Sequence, residues 1–150
     1  MDERAIAEIA AWVVLAVNAL AGAFAGWRWW QVQPSPAVWP LLRAGQAAAF
    51  VQAVVAGVLF VSGFEPPDGL YWRYALLPVA IGLIAEQLRI ASAEQVLENR
   101  ELPDAQAVGA LPEAAQRSVV LAIVRREIGV MALAALVVAF LALRGALIVA

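Results

Sequence analysis

Cysteine, histidine, lysine and threonine are all absent from this chain. Without cysteine there is no disulfide and no thiol nucleophile. Without histidine the usual axial haem ligand and most transition-metal ligand sets have nothing to start from, and the commonest general base is missing. Because lysine is missing, all ten positive charges are arginines, and twelve acids outnumber them for a net charge of −2. Ten dispersed arginines under that balance build no basic groove, so nucleic acid is not an expected partner. There is no glycine-rich phosphate loop and no aspartate pair at metal-ligand spacing. The serines, Ser35, Ser62, Ser92 and Ser118, have no histidine or lysine to activate them. The expectation is a protein that is not an enzyme and that carries no metal and no cofactor. The one catalytic option left is Arg–Glu chemistry at a membrane boundary, where Arg43, Arg125 and Arg126 can hold a lipid phosphate.

What is abundant is apolar. Hydrophobic residues make up 64% of the chain and charged ones 15%, arranged as long apolar runs between short polar ones, which is a membrane-protein composition. A helix needs about 20 residues to cross a hydrocarbon core. Four segments meet that length, at about 5–27, 41–64, 70–88 and 128–149. "RWWQVQPSPAVWP" joins the first two, with Pro34, Pro36 and Pro40 ending one helix and beginning the next. "FEPPDGLYW" is a Pro-Pro-Asp-Gly turn between the second and third. The sizeable polar region is therefore 89–127. "AGAFAG" in the first segment resembles a cleavage site, but "MDER" carries two acids against one arginine, so a membrane span is expected there instead of a signal peptide.

Four spans place both termini on one side of a bilayer. The side holding the first and third loops has Arg28, Arg43, Arg89, Arg100, Arg117, Arg125 and Arg126; the other has Arg4, Arg73 and Arg144. The arginine bias predicts a cytoplasmic long loop and external termini, in a multi-pass protein of a bacterial cytoplasmic (inner) membrane. Trp27, Trp29, Trp30 and Trp39 suit an inner aromatic belt, and Tyr71, Trp72 and Tyr74 an outer one.

The fold expected is all-α: an integral membrane up-down-up-down four-helix bundle forming one domain over 1–150. Its third and fourth helices continue into a cytoplasmic helical hairpin at about 89–127. Pro112 suits a first helical position and Glu113 favours the helix dipole, so the last helix should start there and run about 55 Å, well past a core of about 30 Å. With a hairpin midpoint near Gln106, Glu86 should lie level with Arg126, and Glu94 close to Arg117. The membrane end is then pinned by an interface charge cluster of Glu86, Arg89, Arg125, Arg126 and Glu127. Arginines at such a boundary also snorkel to lipid phosphates.

Inside the spans, Asn18 with Gly22 and Gly26, and Gly45 with Ala49, Ala53 and Gly57, form small-residue faces for close helix packing. Asn18, Gln46, Gln52 and Arg43 can line a polar path or make interhelical hydrogen bonds. Pro78 should kink the third span. Small multidrug transporters are similar in size and span count. The acid they use lies well within the first span, whereas Glu8 stands near the end of this one, and no residue is carried over from them.

Three functions fit these residues. The leading expectation is a non-catalytic subunit, assembly factor or regulator, touching a membrane-protein partner or its own copy through the hairpin surface at Glu94, Glu98 and Arg117. A rival is a small transporter or channel, with Glu86 and Asn18 bordering a polar path. A third is a protein that binds a lipophilic ligand such as a quinone or lipid.

Overall fold

A computed structural model describes residues 2–150, and they are all-helical, with no strand among them. The order is α1 (Glu3–Trp30), α2 (Val38–Ser62), α3 (Leu70–Asn99), α4 (Ala105–Gly109) and α5 (Glu113–Val149). Four of these, all but α4, are long and apolar enough to cross a membrane, which makes this a multi-pass membrane protein. Their ends follow local chemistry. The Asp2 carboxylate accepts from the Arg4 and Ala5 amides at the start of α1. Gly63 takes a left-handed conformation, φ 88°, that closes α2, and its neighbour Phe64 donates to the Leu59 carbonyl. Asp104 caps α4 through the Ala107 amide, and Pro112 immediately precedes α5.

Small residues let the helices pack closely. On α1, Ala7, Ala11, Val14, Asn18, Ala21, Gly22 and Ala25 are buried at three- and four-residue spacing, a face turned chiefly to α5 and α2. A Cβ on Gly22 would lie 2.8 Å from Leu136 Cγ, so glycine is what brings α1 and α5 to this separation. Gly26 and Gly57 have open space instead, so only part of each small-residue face is a contact. Large apolar side chains point the other way. Leu20, Phe50, Val58, Val61, Leu83 and Phe140 are all exposed, as a surface solvated by lipid tails requires.

Several details differ from expectation. α1 and α2 begin before 5 and 41, because Asp2 and the Ser35–Ala37 turn start the helices earlier than the apolar runs do. α3 runs through Pro78 without interruption, and that ring is buried. Tyr71 is not part of an exposed belt. It is fully buried, edge-on to Phe64 and Trp72, because α3 enters the bundle at its first turn.

The meeting of α3 and α5 is also staggered relative to the expected register. Arg100 reaches Ser118, Gln95 accepts from Arg126, and Arg89 approaches Glu127. Glu86 is therefore not level with Arg126, and Glu94 is not the partner of Arg117, which pairs with Glu113 one turn back on its own helix. The connection causes the offset. α4 folds back on the first turns of α5, where the Gln116 amide donates to the Gly109 and Leu111 carbonyls, and α5 overhangs the end of α3.

Candidate functional site

The charged residues of α2, α3 and α5 gather where the long helices leave the α1 and α2 bundle. Arg43 and Gln46 are three residues apart on α2 and share a face. Arg43 Nη1 donates to Gln46 Oε1 at 2.6 Å and to Glu86 Oε1 at 2.5 Å, and Gln46 Nε2 donates to the same Glu86 oxygen at 2.8 Å. On α3, Arg89 is one turn beyond Glu86 and donates Nε to Glu86 Oε2 at 3.1 Å. Its Nη1 reaches Glu127 of α5 at 3.5 Å, while its guanidinium lies 5.6 Å from the Trp39 ring centroid. One carboxylate thus takes donors from three residues, and one arginine bridges two carboxylates. The side chains of Glu86, Arg89 and Glu127 are only 16–25% exposed. At such partial burial a paired carboxylate is worth more than a surface pair, and an unpaired one is costly.

The expected five-residue cluster divides. Glu86, Arg89 and Glu127 come together, joined by Arg43 and Gln46, which were expected on a separate polar path. Arg125 and Arg126 do not join. The physical reason is helical: successive residues turn by about 100°, and neighbours one or two apart do not share a face. Glu127 turns to Arg89, Arg126 donates to Gln95 at 2.8 Å, and Arg125 lies 5.3 Å from the Trp29 ring centroid on α1. The role of Gln46 was legible in its spacing from Arg43; the stack of Arg89 on Trp39, between helices distant in sequence, was not.

The proposed path residues also separate. Asn18 Nδ2 donates to the Val14 carbonyl at 3.0 Å and across to the Gly45 carbonyl at 3.1 Å, tying α1 to α2. Asn18 and Gln46 border an internal cavity of about 20 Å³ with Pro78, Gly82 and Met131, which is room for about one water. Gln52 does not line it. Its side chain is buried, and neither amide atom has a hydrogen-bond partner among the described residues.

On the flank of the bundle, Arg43, Gln46 and Glu86 head a groove of about 280 Å³, continued by Phe50, Pro78, Val79, Gly82 and Leu83. The remaining expected residues, Glu94 and Glu98, are exposed on α3 with no ion pair among the described residues, and Arg117 is exposed on α5. No group of three or more acids stands at metal-binding spacing among the described residues. Comparison with protein-family models, with curated proteins and with solved structures finds no match for this chain.

Proposed function

We propose that this is a non-catalytic membrane subunit, assembly factor or regulator that engages a partner through a helical hairpin projecting from the cytoplasmic face of a bacterial inner membrane. The topology that goes with this reading is up-down-up-down, with both termini outside. Contacts of Trp29 with Gly129, Asn18 with Gly45, Arg43 with Glu86 and Arg89 with Glu127 favour antiparallel neighbours throughout. The arginine bias favours the orientation.

One observation carries the functional reading. Beyond the charge network, α3 and α5 hold each other through buried Val96 and Val119, yet leave Ile90, Val120 and Leu121 exposed beside the unpaired Glu94 and Glu98. Exposed apolar groups next to unpaired acids, on helices outside the hydrocarbon, are the composition of a docking surface. Replacing Glu94, Glu98 and Arg117 together by glutamine tests this. The triple variant should remain helical in the membrane and lose proteins that co-purify with the wild-type chain after crosslinking. Recovery of the same proteins overturns the reading.

A second reading rests on the flank groove, whose polar head and apolar floor suit a lipophilic ligand such as a quinone or a lipid. It calls for a co-purifying lipophile in mass spectra of the detergent-extracted protein. The transport reading has less behind it. Glu86 already accepts from Arg43, Gln46 and Arg89, and the cavity beside Asn18 is the size of one water rather than a path.

A further inference from the structure

The arginines near the α4 end of the bundle fall into two populations. Arg43 and Arg89 are neutralised by Glu86 and Glu127. Arg28 and Arg125 line one cleft between the end of α1 and α5, and among the described residues no carboxylate lies within 4.0 Å of either. The cleft is completed by Trp29, Gln33, Pro34 and Leu121, so two guanidinium groups face it with no acid to balance them.

Its construction is specific. Gly129 lets the Trp29 indole lie directly on α5: a Cβ there would stand 2.9 Å from Trp29 Nε1. The seated ring then supports Arg125, whose guanidinium lies 5.3 Å from the ring centroid. Arg28 rests 5.8 Å from the Trp27 centroid and makes one long contact of 3.5 Å to Gln31 Oε1. Its Nε is buried and has no acceptor. A buried charged donor without an acceptor calls for one from outside the chain. The enclosed part of the cleft, about 10 Å³, accommodates a single oxygen-sized group, with exposed Arg125 at its mouth.

We infer that Arg28, Arg125 and Trp29 form a binding site for a phosphate group at the membrane boundary, one oxygen entering the cleft toward Arg28 and the others meeting Arg125. Planar guanidinium donors match phosphate oxygens, and their stacking on indoles holds the forks in place before the ligand arrives. An anionic lipid headgroup and free phosphate share this chemistry. The inference does not depend on the hairpin having a partner.

Native mass spectrometry tests it on the full chain, released from detergent micelles containing phosphatidylglycerol and phosphatidylcholine. The wild-type protein should retain phosphatidylglycerol, and the double variant R28Q/R125Q should bind it about tenfold more weakly. R73Q/R144Q removes the same charge at the far end and should bind as wild type. Because Arg125 is exposed, R125E alone keeps the fold and should also lose the lipid. Excess inorganic phosphate separates the sources: phosphatidylglycerol that survives it identifies a lipid site, and displacement by phosphate identifies a free-ion site. Equal binding by R28Q/R125Q and wild type, or equal loss in R73Q/R144Q, overturns the assignment.

Discussion

Glu86 of α3 and Arg43 of α2 meet at 2.5 Å, and Gln46 bonds to both of them. Arg89 closes the other side of the same carboxylate, so Glu86 is the point at which α2, α3 and, through Glu127, α5 are joined. This geometry describes a clasp between helices. Glu86→Gln should destabilise the bundle by about 1–3 kcal/mol, since it leaves partly buried donors short of their acceptor charge. In detergent unfolding, the double variant E86Q/R43Q should lose less than the two single losses added together, because both changes break one contact. Additive losses would show that the two residues act independently.

The close approach of α1 to α5 makes a paired comparison. Gly22→Ala drives a methyl group to within 2.8 Å of Leu136 Cγ and 3.1 Å of the Leu136 backbone nitrogen, so it should cost about 1–3 kcal/mol of overpacking. Gly26→Ala, one turn along the same helix, meets nothing within 4 Å. It should be neutral or stabilise by up to about 1 kcal/mol through helix propensity. Thermal unfolding of the two variants in the same detergent checks this, and equal effects would contradict the packing described.

At Gly45 the obstacle is polar. An added Cβ would come 2.6 Å from Asn18 Oδ1, displacing the amide that links α1 to α2. Gly45→Ala should therefore destabilise, and most of that loss should vanish when Asn18 is already alanine. Asn18→Ala alone should lose about 1 kcal/mol, the ordinary value of an interhelical hydrogen bond in a membrane. A Gly45→Ala loss that is unchanged in the Asn18→Ala background would mean that the clash is with something else.

These contacts show where the sequence was informative. Apolar runs of spanning length locate all four long helices, and Pro112 with Glu113 marks the start of α5, because length and capping are local properties. Partner choice is not local. Arg125, Arg126 and Glu127 are adjacent in the chain, yet they address Trp29, Gln95 and Arg89 in turn. Arg43 and Gln46 find Glu86 only through the rotation of α2 against α3. The register of α3 on α5 depends on how α4 folds back on Gln116, which no periodicity in the connecting segment announces. Gly22 and Gly26 have the same spacing signal and opposite surroundings.

Gln52 supplies the sharpest division between stability and function. Its side chain is 1% exposed in the core, with neither amide atom hydrogen-bonded among the described residues. A buried amide left unpaired costs about 1–3 kcal/mol, so Gln52→Leu, of nearly the same size, should stabilise the protein toward unfolding by about that amount. A gain in stability with partner recovery and lipid binding unchanged would make Gln52 a tolerated defect of the core. A gain accompanied by loss of either activity would instead mark Gln52 as a polar group kept for use. A loss of stability would mean that the amide does have a partner within the bundle.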